Sequence, residues 1–437
     1  MASVTTSTQP RWHLGETTVI GSADGHVWRA RGIRYADAGR YETPRPVPLP
    51  DNKIDARQAG PACPQVRFAL FDEVLDAIGS EAGYDEDCLR LSITVPEGTA
   101  PDAKLPVLVW IHGGSYLTGG GDLPVYDPSA LVTEQQVVVV TVTYRLGLFG
   151  YLSRPGVPGN LGLLDQREAL RWVQRHIPAF GGDPANVTAF GESAGGDSVA
   201  NLMIAEGAHG LMRRAIVMSA PLGLMPGRDR MYSAMAQQLT DLDSDAAVDE
   251  ILERTKALER MSIRYGLRAG MPFGPQFGLD PLPPEDSLDD AWSAVAPNID
   301  LLIGWTHREA ALFVPGPLGR VDLRPRVREA LVGRLTRRIY SDPAARFAQR
   351  HAEAGGRGGT YVVTSGRGLD HPLVGSHTTD LPLLFPGPAW DAIAGVSGVA
   401  WSVTEEQGRQ LRTVIGDFAR DGSLEARDDD PVTVQPL

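Results

Sequence analysis

The chain has 437 residues, 42% of them hydrophobic and 22% charged, with a formal net charge of −13. That balance predicts a soluble globular protein with a sizeable core and argues against disorder, while the acidic excess speaks against nucleic acid and membrane surfaces as partners. No run reaches the roughly eighteen apolar residues of a membrane span, and the first ten residues lack the charged start and apolar run of a secretory signal, so a cytoplasmic location is expected.

In chain order, Thr17–Ile20 and Val27–Arg29 read as short strands, with Asp24-Gly25 as a hairpin signal between them. Pro44 to Pro50 carries a proline at every second position and must be an extended connector. Cys63 and Cys88 have no metal-site spacing and read as reduced thiols. Leu105–Ile111 is a short apolar run, as expected of a strand buried on both faces of a parallel sheet, and it ends at His112-Gly113-Gly114-Ser115. Adjacent glycines after a central strand allow backbone N–H groups to face a cavity, whereas His112 suits packing at the base of the loop.

Val137–Thr143 reads as a second buried strand. Leu163–Ile177 reads as an amphipathic helix, with Ala169, Leu170, Val173 and Ile177 on its apolar face and Asp165 and Glu168 spaced like a capping box. Further strands are expected at Ala215–Ser219, Asp300–Trp305 and Thr360–Thr364. This alternation predicts an α/β fold with a large, mostly parallel, doubly wound sheet. The stretches 225–295 and 315–355, rich in charge and helical spacing, read as helical insertions over the C-terminal edge of that sheet, shaping a substrate entrance.

The stretch that organises the chain is Gly191-Glu192-Ser193-Ala194-Gly195, between the apolar Val187–Phe190 and a helix-compatible segment. A strand, a Gly-x-Ser-x-Gly turn and a helix form the nucleophile elbow of an α/β-hydrolase, with Ser193 as nucleophile. A serine hydroxyl needs a base, and the base needs a carboxylate, in the chain order Ser, acid, His. His371 and His377 compete as the base, both in the loop after Thr364. Glu309, just past the strand ending at Trp305, is better placed as the acid than Asp280 or Glu285, which lie in a proline-rich loop. Tyr116, Leu117, Phe149, Trp305 and Phe313 flank these loops, and core packing explains each as well as pocket lining does.

Several segments together resemble the bacterial type-B carboxylesterases, the family of para-nitrobenzyl esterases related to cholinesterases. They are Arg31–Ala36, Asp85–Leu89, Asn160–Gln166, Phe180–Pro184, Gly191–Gly195 and Phe418–Gly422, so the resemblance runs from about residue 15 to residue 424. It implies a single α/β-hydrolase domain over 1–437 that hydrolyses carboxylic esters of small molecules through an acyl-enzyme, without cofactor or metal. Ser193, Glu309 and His377 are the implied triad, and the N–H groups of Gly113, Gly114 and Ala194 the implied oxyanion hole. The family's His-x-x-Asp/Glu-Leu-Pro pattern, matched by His377 to Pro382, selects His377 over His371. Asp280 becomes a structural residue by the same comparison.

Arg34, Ser92 and Gly196-Asp197 depart from the family pattern, and the short spacings from Ser193 to Glu309 to His377 imply trimmed insertions and a more open entrance. Cysteines placed like Cys63 and Cys88 often form a loop disulfide in the family, which sets a disulfide beside the reduced pair. Alternatives to ester hydrolysis are amide, lactone or carbamate cleavage by the same triad, or a non-catalytic interaction protein on this fold.

Overall fold

A computed structural model of the chain describes residues 9–66, 81–314, 323–365, 373–390, 401–429 and 431–437. An eleven-stranded sheet forms its centre, in the order 427–429, 432–436, 358–363, 300–306, 214–218, 182–192, 105–111, 138–142, 90–96, 27–34 and 22–24. The six strands from 358–363 to 138–142 are parallel. Both flanks are antiparallel, so the sheet is mixed around a parallel centre. The turn at Asp24-Gly25 does form a hairpin, but it joins Ser22–Asp24 to Val27–Arg34 and not to the strand Thr17–Ile20. A separate three-stranded sheet joins Arg11–Leu14, Thr17–Ile20 and Lys53–Asp55.

The central strands are the apolar runs of the sequence, and Leu105–Ile111 and Val138–Val142 are buried almost throughout because helices cover both faces. Arg90–Pro96 alternates polar and apolar residues yet is also buried, and its Ser92 hydroxyl is satisfied by Gly32 N–H at 2.9 Å and Asp122 at 2.8 Å. That internal pairing is why a strand with Ser92 and Thr94 can lie inside.

One expected cap is not a cap. The helix runs Leu161–His176, starting after Asn160 in a left-handed conformation, and Asp165 lies fully buried within it. Its carboxylate accepts the backbone N–H of Arg145 at 3.1 Å and its guanidinium at 2.8 and 2.7 Å. Glu168 instead pairs with Arg171 and Arg175. Asp165 serves a tertiary ion pair and Glu168 pairs within its own helix, so neither caps the first turn.

The first stretch of extra helix holds Asp229–Gln237, Val248–Ser262 and Leu288–Val295. Described residues of the second hold Pro325–Thr336, a wide turn at Arg337–Ser341 and Asp342–Glu353, the last packed on strands 300–306 and 358–363. Among the described residues no helix is long and apolar enough to cross a membrane. Cys63 and Cys88 are free and buried, and contact with the Cys63 thiol together with burial pushes the Cys88 thiol up.

Candidate active site

Strand Gly182–Glu192 ends directly against helix Ala194–Leu202, and the single residue between them, Ser193, takes φ 58° and ψ −123°. Such a conformation costs about 1–3 kcal/mol and persists only where its surroundings enforce it. Here they do. A β-carbon on Gly195 would lie 2.0 Å from the Ile111 carbonyl oxygen, and one on Gly191 2.6 Å from the carbonyls of Gly195 and Ile111. Ser193 N–H donates to Met218 O at 2.9 Å, tying the elbow to the next strand. Both glycines are therefore required by close packing of strand, turn and the loop that follows Ile111.

Glu309 lies in a short turn, Glu309–Leu312, just beyond strand Asp300–Thr306, and Thr306 N–H donates to its Oε1 at 2.8 Å. Its Oε2 is 2.6 Å from His377 Nδ1, and His377 Nε2 is 2.8 Å from Ser193 Oγ. His377 N–H also donates to the Glu309 carbonyl at 3.1 Å, so the ring is held by backbone and side chain of one residue. In the neutral ring the carboxylate fixes the proton on Nδ1, which leaves Nε2 to accept from the serine. Of the rivals, Glu285 accepts Gly227 N–H at 3.0 Å, and the Asp280 carbonyl is held by the Asn160 amide at 3.2 Å, both outside this cluster. His371 lies outside the described residues.

Two more buried carboxyls surround the imidazole, and neither is part of the sequence reading of the site. Glu192 Oε1 is 3.3 Å from His377 Nε2, and burial pushes this carboxyl well above the usual range. Asp380 is buried, accepts the Ser219 hydroxyl at 3.3 Å, and is pushed up to about 7 by burial and the Glu309 charge. Burial opposes the charged imidazolium of His377, but Glu192 and Glu309 outweigh it and raise His377 to about 9. The rings of Phe313 and Tyr340 border the imidazole with centroids at 5.3 Å.

A model of the carboxylesterase family matches residues 14–331. A probable N-octanoylanthranilate hydrolase of Rhodococcus erythropolis is 35% identical over 418 residues, covering 92% of this chain and 91% of that protein. The para-nitrobenzyl esterase of Bacillus subtilis (strain 168) is 34% identical over 76% of this chain and 73% of its own length. A solved thermophilic para-nitrobenzyl esterase superposes with a TM-score of 0.81 at 27% identity, covering 98% of each chain. The chain belongs to the carboxylesterase family. It is a serine carboxylesterase of the α/β-hydrolase fold.

The carboxylesterase cleft beside Ser193 has an empty volume of about 650 Å³. Gly113, Gly114, Ser193 and His377 form part of its wall, and Leu123, Val125, Leu381 and Trp390 give it an apolar side. Such a mix suits a ligand with one reacting polar centre and an apolar body. Phe313 lines the cleft, whereas Tyr116, Leu117 and Phe149 are core residues, and the Tyr116 hydroxyl donates to Asp197 at 2.6 Å. Trp305 also packs against the core. His112 stacks on Tyr144 with ring centroids 4.3 Å apart, and burial lowers it to about 4, in keeping with a packing role.

Gly113 packs so closely that an added β-carbon would lie 2.8 Å from Glu192 O and 3.2 Å from the Ser193 β-carbon. Gly114 has φ 107°, a turn that L side chains resist. Ala194 opens its helix, where first-turn N–H groups lack intrahelical acceptors. Among the described residues no group of three His, Cys, Asp or Glu side chains is arranged to hold a metal.

Proposed function

We propose that Ser193 attacks the ester carbonyl while His377 takes its proton, Glu309 orients and stabilises the imidazolium, and the N–H groups of Gly113, Gly114 and Ala194 receive the oxyanion. His377 then protonates the leaving alcohol, and water resolves the acyl-enzyme by the same route. The observation that carries this assignment is the unbroken relay of 2.8 Å from Ser193 to His377 and 2.6 Å from His377 to Glu309. The apolar side of the cleft supports esters with an apolar acyl or alcohol group, bound as small molecules.

One domain over residues 1–437 carries this activity, with the helical stretches 225–295 and 315–355 shaping its entrance. Tyr340 against His377 supports that role for the second stretch. The paired free thiols of Cys63 and Cys88 support a reducing cytoplasm as the location. The Rhodococcus relative is a probable N-octanoylanthranilate hydrolase, whose substrate is N-acylated, and this favours amide cleavage by the same serine as the second reading.

The test is turnover of para-nitrophenyl esters of increasing acyl length, beside the matching anilides, by wild type and Ser193→Ala, with organophosphate labelling of the serine. The variant is expected to lose about 10⁴-fold or more in turnover and all labelling. Retained turnover in Ser193→Ala removes the assignment, and anilide turnover equal to ester turnover favours the second reading.

A further inference from the structure

Seven large apolar side chains are notably exposed among the described residues, and five of them, Ile263, Leu267, Phe313, Val327 and Leu331, lie on elements around the mouth of the site. Segment Ile263–Gly270 reaches the oxyanion loop through Ser115, whose hydroxyl donates to Gly270 O at 3.4 Å. Helix Pro325–Thr336 packs on the Glu309 turn: its Val332 joins Ala310, Ala311 and Val314, Arg328 donates to Ala311 O at 2.9 Å, and Thr336 accepts Ala310 N–H at 3.1 Å. The buried face of this helix is thereby fixed to the catalytic turn. Its other face carries Val327 and Leu331, 53% and 36% exposed and one turn apart.

The charge of that face is unlike the rest of the chain. Residues 323–341 contain six arginines and one acid, Glu329, a local charge of +5 in a chain of −13. Glu329 is occupied by Arg308 at 2.6 Å and the buried Arg328 at 3.1 Å. Arg324, Arg326, Arg334, Arg337 and Arg338 are exposed and make no ion pair among the described residues. Within the helix Val327, Leu331 and Arg334 follow one another at spacings of four and three, and Arg324 at the N-cap and Arg338 in the wide turn beyond the helix place a cation past either end. A helix with an apolar strip flanked by unpaired cations is built for an anionic interface rather than for water alone.

We propose that the outer face of helix Pro325–Thr336 docks on an anionic phospholipid surface, its arginines on the headgroups and Val327 and Leu331 in the headgroup boundary, with the mouth of the catalytic cleft alongside. The overall acidity of the chain is compatible with this. Charges are screened over about 8 Å at physiological salt, so the surface feels the nearest side chains, and the acidic remainder favours this one orientation. Phe313 both lines the cleft and is exposed at its rim, giving an apolar path from such a surface to Ser193.

The experiment is co-flotation of the full chain with phosphatidylcholine vesicles, with and without phosphatidylglycerol as a third of the lipid, at low and high salt. Flotation is expected only with phosphatidylglycerol and is expected to fall as salt rises. Each arginine near such a surface accounts for about a fivefold change in partitioning. R324Q/R334Q/R338Q is therefore expected to weaken binding by at least about tenfold. V327S/L331S is expected to weaken it while keeping the salt dependence. Turnover of a water-soluble para-nitrophenyl ester, measured in parallel, should be unchanged in both variants, which separates docking from the catalytic assignment. Absence of flotation with phosphatidylglycerol at low salt, equal flotation without it, or wild-type binding by R324Q/R334Q/R338Q would overturn the proposal.

Discussion

Replacing Glu192 by glutamine keeps the size of the side chain and removes one negative charge 3.3 Å from His377 Nε2. At that distance a unit pair interacts by about 1 kcal/mol in a water-like dielectric and about 5 kcal/mol at an effective dielectric near 20. Ser193 is 9% exposed at the cleft, so the site is neither dry nor fully wet. At about 1.4 kcal/mol per unit, a fall of about 1–4 units in the His377 pKa follows. Only the neutral imidazole can accept the serine proton, and the acid limb of kcat/KM reports its titration. The Glu192 carboxylate favours the imidazolium, so its removal should carry the limb to lower pH and raise activity in acid relative to that at alkaline pH. Because burial also pushes Glu192 toward its protonated form, the two groups titrate together and the wild-type limb belongs to the pair. The assay is kcat/KM for a para-nitrophenyl ester against pH for wild type and Glu192→Gln, read by phenolate release with correction for its own ionisation. An unchanged limb would refute the reasoning, because it would mean that Glu192 holds its proton and exerts no charge on His377.

Two further substitutions separate folding from chemistry. Asp165→Ala leaves the buried Arg145 guanidinium without its carboxylate, and denaturant unfolding should show a loss of about 3–5 kcal/mol. Gly113→Ala puts a β-carbon 2.8 Å from Glu192 O and 3.2 Å from the Ser193 β-carbon, so the loop must move away from the serine. Turnover should fall by about 10²-fold or more, while organophosphate labelling, slowed to a similar degree, shows that the serine itself is intact.

How much was legible in the sequence depended on the range of each constraint. The parallel strands announce themselves as short apolar runs, because burial on both faces excludes polar residues locally. The Gly191–Gly195 elbow is readable for a similar reason: a backbone packed within 2.0 Å of where a Gly195 β-carbon would sit admits no other residue. The order of Ser193, Glu309 and His377 is also in the sequence, since each follows a strand, although choosing His377 over His371 needed the family pattern. The role of Asp165 is not legible locally, because a carboxylate near a helix start has the same appearance whether it serves a turn or a guanidinium 20 residues back.

Other features existed only after folding. Glu192 stands in the elbow motif, but its contact with His377 requires two distant parts of the chain to meet at Ser193, which is itself 184 positions from His377. Leu123, Trp390 and Leu381 become one cleft wall only because the loops that carry them converge beside the serine. The arginines of 323–341 are plain in the sequence, yet the freedom of the exposed five from ion pairs among the described residues, and the place of their helix against the Glu309 turn, are properties of packing. By itself, the sequence determined the elements, the elbow and the chemical types at the site, because these follow from neighbours within a few residues. Tertiary structure decided which carboxyls lie around His377, which apolar residues line the cleft and which charges among the described residues have no ion pair, because burial and electrostatic coupling depend on distance in space.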